Sequence, residues 1–329
     1  MLMKILTGFV FSALNFGLSQ RFATTLHRLI ASMVLPALLV AGCSGNAEYE
    51  TVDFHETGPD VLRQAAPHAG PVLNVAVGAM ISPEATITQY QALVRHIGEK
   101  TGLETRIIQR KTYSEVNKLV KTGKADIAFI CTGPYILGKA DAGFEAIATP
   151  VVRGEPFYRA YLIVHRDSPY ESIADLAGGI FAFTDPDSNT GAMVPTRWVA
   201  ALGHRPDAFF KRVHYTYSHD NSILAVASGL VDGASIDGHI WEYFQQADPV
   251  HTERTRIILK SEPFGSPPLV ASAGIDEALK RRIQEAVVTM HEDPAGKRIL
   301  DSLMIERFVT PEQEWYHSWE TRAETDEKH

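Results

Sequence analysis

From Pro71 onward, short apolar runs alternate with amphipathic helical stretches, and this alternation constrains the fold more than any other feature of the chain. "VLNVAVGAM" predicts a strand, "ATITQYQALVRHIGEKTG" a helix closed by Gly102, and "ETRIIQR" a strand. "TYSEVNKLVKTG" predicts a helix capped by Thr112 and closed by Gly123, and "ADIAFI" the next strand. Such βα units build a mostly parallel sheet covered by helices. Further on, "FYRAYLIVHR", "GIFAFTD", "RVHYTY", "GASID" and "TRIILK" predict strands. "SIADLAG", a segment ending near Leu202, and "NSILAVASGL" predict helices. The last third, "DEALKRRIQEAVVTMHED" and "PAGKRILDSL", is helical, with a final helix after Pro311. The phrases "GKADIAF" and "GLVDGASID" each follow a helix with a glycine and then a strand near an aspartate, so two halves repeat one construction.

The N-terminal part has a different character. Arg21, His27 and Arg28 precede the apolar run Leu29 to Val40, and "VAGC" follows. A positive flank, a short apolar core and small residues before a cleavage point make a secretory signal. The cysteine after Ala41-Gly42 gives it the form of a bacterial lipoprotein signal, with residues 1–42 removed and Cys43 lipidated. The extra apolar stretch Leu2 to Leu18 fits an upstream start codon better than structure. Residues 43–70 then form the anchor and a polar tether. Removing Lys4, Arg21 and Arg28 leaves 28 basic against 39 acidic residues, a net charge of −11 for the exported body. An acidic body without a Lys/Arg run excludes nucleic acid as a partner and leaves the lipid anchor as the membrane contact. With Cys43 lipidated, Cys131 is the single remaining cysteine, so no intrachain disulfide forms.

The stretch "FTDPDSNTGAMVP", Phe183 to Pro195, is the first candidate site. It follows a buried strand, and ligands of parallel sheets sit at the carboxyl ends of strands. Ser188, Asn189 and Thr190 occupy the first turn of the following helix, whose free N–H groups and dipole favour an anion. Asp185 and Asp187 are adequately explained as turn and cap residues. Ser188, Thr190 and Gly191 together exceed what a cap requires, because a cap uses one such side chain. From spacing alone, a cap and an anion cradle both remain open.

"AFTDPDSNTGAMVP" resembles the Ser-x-[Ser/Thr]-Gly motif of the phosphate, phosphite and phosphonate-binding proteins of ABC importers, the PhnD-like family. The resemblance extends over nearly all of Val72 to about Arg322 through "TYSEVNKLVKTGKADIAFICTGPYI", "FYRAYLIVHRDSPYESIADLAGG", "YSHDNSILAVASGLVDGASID" and "SPPLV". It implies a bilobed periplasmic-binding-protein fold of type II, α/β, with two crossover strands and a mostly parallel sheet in each lobe. The lobes would be 71–160 plus 271–325, and 161–270. It implies no cofactor and no chemistry on the ligand. It also implies that Ser188, Asn189, Thr190 and Gly191 hold the anion. Tyr113 and Tyr158 would reach it from the first lobe and the hinge, and His219 would face it from the second lobe. A histidine there gains positive charge when an anion raises its pKa. Ser82, Thr132 and Tyr135 complete the first-lobe side of the cleft.

Two departures shape the expected ligand. Aminoalkylphosphonate binders of the family hold the ligand's ammonium with acidic residues. The matching positions here are His239 and about Pro267, with Asp237 nearby but offset, so a compact oxyanion is favoured over one with an amine tail. Cys131 is the second departure. It is either a small core residue or cleft lining, or a thiol ligand for a thiophilic oxyacid such as arsenite. Three functions follow: importer subunit for phosphate, phosphite or a simple phosphonate; oxyanion sensor acting on a membrane histidine kinase; or a thiol enzyme using His219 as base. The protein is expected to act as a monomer that closes around its ligand and presents the closed form to an ABC permease or sensor kinase. His291 and Glu292 in "MHED" lack the spacing partners of a metal site, and Trp241 and Tyr243 in "GHIWEYF" read as core.

Overall fold

The computed structural model describes residues 71–316. The leader, the lipidation candidate Cys43, the tether and residues 317–329 lie outside the described residues. The chain first runs through β1 (Val72–Val77), α1 (Pro83–Thr101), β2 (Glu104–Gln109), α2 (Tyr113–Lys121), β3 (Ile127–Phe129), α3 (Thr132–Ala142) and β4 (Glu145–Val151). It crosses to a second lobe at β5 (Phe157–Tyr158). That lobe contains β6 (Ala160–His165), β7 (Ile180–Phe183), a wide helical turn at Asn189–Met193, α4 (Val194–Ala201), α5 (Pro206–Phe209) and β8 (Arg212–Tyr215). It continues through α6 (His219–Ala227), β9 (Gly233–Asp237), α7 (Gly238–Ala247) and β10 (Thr255–Lys260). The chain returns through β11 (Phe264–Gly265) to β12 (Leu269–Ala271), α8 (Glu277–Val288), α9 (Pro294–Ser302) and β13 (Arg307–Val309).

The first lobe holds a six-stranded sheet in the order β13-β4-β12-β3-β1-β2, and the second a five-stranded sheet in the order β10-β6-β9-β7-β8. The central pairs β1–β2, β1–β3, β7–β8 and β7–β9 are parallel, while β6, β12 and β13 pair antiparallel with their neighbours. The two crossing segments pair with each other, Phe264 opposite Tyr158 and Gly265 opposite Phe157. This two-stranded ribbon is the hinge. The second crossing lies at 264–265, and Leu269–Ala271 pairs with β3 and β4 of the first sheet. The sequence span 161–270 for the second lobe therefore runs a few residues into the first. "FGSPPLVA" contains two prolines between hinge and sheet, and nothing local marks where the crossing ends.

Each sheet buries its apolar strand residues against its own helices, as period-2 and period-3.6 patterns require. Leu73, Val75, Leu93, Ile97, Ile127 and Ile283 form the main cluster of the first lobe, and Leu162, Val164, Phe181, Phe183 and Val199 form one in the second. Helix α2 starts on the expected cap: Thr112 Oγ1 accepts from Glu115 N at 3.3 Å, and Glu115 Oε2 accepts from Thr112 N at 3.0 Å. Two expectations differ. "SIADLAG" forms only a single tight turn at Ala174–Leu176, because Gly178 (φ 73°) ends it at once. The segment after Cys131, left without an element in the sequence reading, is the helix α3.

Candidate functional site between the lobes

The residues singled out from sequence stand at the carboxyl ends of parallel strands. Ser82 follows β1, Cys131 follows β3, Ser188 follows β7, His219 follows β8, and Asp237 ends β9. The first-lobe and second-lobe groups meet directly. Tyr113 N donates to Asp185 Oδ2 at 3.1 Å, Ser82 N donates to both carboxylate oxygens of Asp220 at 3.0 and 3.1 Å, and His219 N donates to Met80 O at 3.0 Å. Each carboxylate of one lobe thus sits at the open end of a helix of the other, where unpaired N–H groups favour negative charge. At a third contact, Gly133 in the first turn of α3 lies against the backbone of Asp187 and Asn189. A Cβ there would collide with Asp187 O and stand 2.9 Å from Asn189 N. Only glycine permits this approach.

The helix start at 188–193 is tightly built. Ser188 Oγ accepts from Gly191 N at 3.0 Å, and Ser188 O accepts from Ala192 N and Met193 N at 3.0 and 2.9 Å. The turn is one residue wider than an α-helical turn, and such wide turns are frequent at functional sites. Gly191 is fixed by space, since a Cβ would run into Thr184 Oγ1. Ser188 and Gly191 therefore spend their side-chain oxygen and amide on shaping the turn. Thr190 and Asn189 do not: both are completely buried, and Thr190 Oγ1 and Asn189 Oδ1 have no hydrogen-bond partner. Asn189 Nδ2 donates to Tyr158 OH at 3.0 Å, which ties the hinge tyrosine to the same turn.

His219 starts α6 at 0% exposure. Its Nδ1 accepts from Asp237 N at 3.1 Å and lies 3.2 Å from Thr184 Oγ1. A nitrogen that accepts from a backbone N–H carries no proton, so the neutral ring is protonated on Nε2. Nε2 is buried and unpartnered. Burial lowers the His219 pKa to about 3. The desolvated ring by itself offers a neutral N–H donor, and the expected positive charge is tied to a bound anion. Two residues earlier, Tyr217 holds φ 60°, a left-handed conformation uncommon for a non-glycine residue, and its N–H donates to Thr184 O at 2.7 Å. The hydroxyl of Tyr113 is also buried without a partner, and burial raises its pKa well above the usual phenol value.

Other expected groups have different surroundings. Cys131 is fully buried where the first lobe meets the hinge, its Sγ 3.7 Å from Tyr158 OH and in hydrogen-bonding contact with the Asn189 and Gly133 backbones, and burial, the largest effect, pushes the thiol pKa up. Thr132 Oγ1 donates to Gly265 O at 2.7 Å and pins α3 to the hinge. Tyr135 packs edge-on against Tyr316 at 4.9 Å in a separate core cluster. As the fourth residue of α3, it faces back toward the core rather than the cleft. Asp237 Oδ1 accepts from His239 N (2.8 Å) and Ile240 N (3.4 Å), capping α7, while burial raises its pKa to about 7. Asp237, His239 and Pro267 line one cavity, so the offset in sequence disappears in space. Trp241 is core, with Nε1 donating to Thr255 Oγ1 at 3.0 Å, whereas Tyr243 lines that cavity. Among the described residues no group of three metal-ligating side chains comes together, and no helix is long and apolar enough to cross a membrane. Asp220 was missed in the sequence. Its only signal is its place after His219 at a helix start, which says nothing of a partner 138 residues away.

The family model for the phosphonate periplasmic substrate-binding protein of ABC transporters matches residues 75–316. The chain belongs to that family. The family's members are binding components of importers rather than enzymes, and they work in the periplasm. The phosphonates-binding periplasmic protein of Escherichia coli is 25% identical over 236 residues, 70% of each chain. The phosphate-import protein PhnD of Mycolicibacterium smegmatis is 24% identical over 63% of this chain and 64% of its own length. The solved binding protein component of an ABC phosphonate transporter from Pseudomonas aeruginosa superimposes with a TM-score of 0.71 at 23% identity, over 75% of this chain and 83% of that one. PhnD1 of Prochlorococcus marinus, in complex with methylphosphonate, gives 0.69 at 17% identity, over 78% of this chain and 99% of that one. These likenesses establish the type II periplasmic-binding fold, to which the hinge ribbon and two mixed sheets belong.

Proposed function

We propose that this member of the family captures a small phosphorus oxyanion, phosphite, phosphate or a simple phosphonate, in the cleft and delivers it to an ABC permease. One observation carries the reading. Several buried polar atoms among the described residues have no partner, some of them away from the site, such as His96 Nε2 and Asn117 Oδ1. Four of them belong to residues that the sequence motifs single out: Tyr113 OH, Asn189 Oδ1, Thr190 Oγ1 and His219 Nε2. Buried polar groups are paired in folded proteins unless something else satisfies them. Three of the four carry hydrogens to donate, which suits an oxyanion held by neutral donors inside an acidic protein. Methylphosphonate in the PhnD1 complex and the phosphate of the mycobacterial relative's name support this ligand class. Ser188 and Gly191 shape the cradle, and Tyr158 orients Asn189.

The buried, protonated thiol of Cys131 argues against the arsenite-sensor and thiol-enzyme readings, since a soft centre is bound by thiolate. Anchoring through Cys43 and action as a monomer complete the proposal and rest on "VAGC" and on the self-contained cleft. The test is thermal melting against phosphite, phosphate, methylphosphonate, sulfate and arsenite. A ligand that binds only the native state raises Tm. A shift with the phosphorus oxyanions, retained in Cys131→Ser, supports the reading; a shift with arsenite alone rejects it.

A further inference from the structure

The cradle donors on Tyr113, Asn189, Thr190 and His219 are all buried, and a ligand reaches them by passing between the lobes. A separate cavity of about 380 Å³ lies across the same boundary. Ala79, Arg110 and Lys111 stand on its first-lobe side, and Tyr217, Ser218 and Asn221 on its second-lobe side. It adjoins the cradle from both lobes. Ala79 precedes Met80, whose carbonyl accepts from His219 N at 3.0 Å, and Ser218 precedes His219 itself.

We propose that this cavity is the entry vestibule of the cleft, where Arg110 and Lys111 collect a small oxyanion from solution before it passes to the cradle. The inference rests on reading the cradle as the anion site and adds the route and rate of capture. A protein with a net charge of −8 repels anions at long range, so fast capture needs a local field of the opposite sign. Arg110 and Lys111 are both exposed, and among the described residues neither forms an ion pair with a carboxylate. Arg110 Nη1 donates only to the neighbouring carbonyl of Gln109, at 2.7 Å. The carboxylates of Glu115, Asp185 and Asp220 around this boundary each accept a backbone N–H, from Thr112, Tyr113 and Ser82.

Two further observations suit this role. Lys111 Nζ lies 4.5 Å from the centroid of the Tyr217 ring, a cation–π contact that crosses the lobe boundary. Parting the lobes breaks that contact and releases the ammonium to solvent as the cleft opens. Ser218, in the opposite wall, is 2% exposed, and its Oγ has no hydrogen-bond partner. It precedes α6 without capping it, so the hydroxyl is not consumed by the helix start. Such a buried group is a free donor. The vestibule thus places cations at its exposed edge and a hydroxyl beside the cradle.

The test is the binding kinetics of methylphosphonate with the full chain at low and at high ionic strength. Phosphorus-31 NMR exchange gives koff, calorimetry gives Kd, and kon is their quotient. Arg110→Gln/Lys111→Gln should lower kon about tenfold at low salt, leave koff unchanged, and converge on wild type at high salt, where exposed charges are screened. Lys124→Gln/Lys211→Gln removes the same net charge just before β3 and β8, at the strand ends opposite the cleft, and should change kon about twofold at most. An equal loss in both variants overturns the vestibule, since net charge alone then governs capture. A loss carried by koff, or one that persists at high salt, also overturns it, because the pair then holds the closed state. In both cases methylphosphonate still binds wild type and the anion reading stands. If wild type binds neither methylphosphonate nor phosphite nor phosphate, the anion reading falls and the vestibule falls with it.

Discussion

The carboxylate of Asp185 accepts the backbone N–H of Tyr113 across the lobe boundary, at 3.1 Å and in full burial. Asp220 does the same for Ser82. Both lobes thus meet through charge-assisted hydrogen bonds placed at helix starts, beside the tyrosine and histidine whose buried polar atoms have no partner. Such bonds contribute about 1.5–3 kcal/mol each. Asp220→Ala should therefore weaken ligand affinity about tenfold or more through the closed state. Asp185→Ala should do the same and also loosen the 185–188 turn, because Asp185 Oδ1 accepts from Asp187 N. Titration of both variants checks this; unchanged Kd in both would remove the latches from the mechanism.

His219 is expected to be neutral and protonated on Nε2 at pH 7. Its folded pKa of about 3 lies below the unfolded value near 6.5, so the stability it contributes is present above pH 6.5 and lost as pH falls toward 3. Nitrogen-15 NMR of the labelled ring reads the tautomer directly. An imidazolium at pH 7 in the free protein would contradict the neutral-donor account.

Asp237 shifts the other way. Its pKa of about 7 stands above the unfolded value near 4, so its contribution is fully present below pH 4 and is lost as pH rises through 7. Asp237→Asn keeps the cap of α7 and removes the titration. Relative to wild type, the variant should gain stability between pH 5 and pH 8, on the order of 2 kcal/mol or more. Denaturant unfolding at the two pH values measures the difference; a difference independent of pH would show that Asp237 is ionised throughout.

Cys131 should resist thiol reagents in the native protein and react on unfolding, because it is fully buried and its thiol pKa is raised. Cys131→Ser should leave oxyanion affinity within a few-fold. Rapid labelling of the native protein, blocked by ligand, would place the thiol in the cleft.

Much of this was legible in the sequence because parallel α/β folds write their sites locally. A strand, a turn and a helix start are contiguous, so "AFTDPDSNTG" and "YSHDNS" could be placed at strand ends without knowing the fold. What could not be read was which atoms the turn consumes. Ser188 and Thr190 look equivalent in sequence, yet Ser188 Oγ caps Gly191 while Thr190 Oγ1 is left free. Tyr135 and Thr132 sit beside Cys131 in sequence, but the helical twist of α3 sends one to Tyr316 and the other to the hinge. The latches depend on pairs separated by 72 and 138 residues, which no local pattern carries.

The most direct test of the cradle is Thr190→Val, which replaces an unpartnered buried hydroxyl by a methyl group of nearly the same shape. Calorimetric titration with methylphosphonate should show affinity reduced about tenfold to a hundredfold, equivalent to about 1–3 kcal/mol. The free protein should meanwhile melt no lower than wild type, since the hydroxyl has no partner to lose. Unchanged affinity in this variant would contradict the assignment of the 188–191 helix start as the anion site.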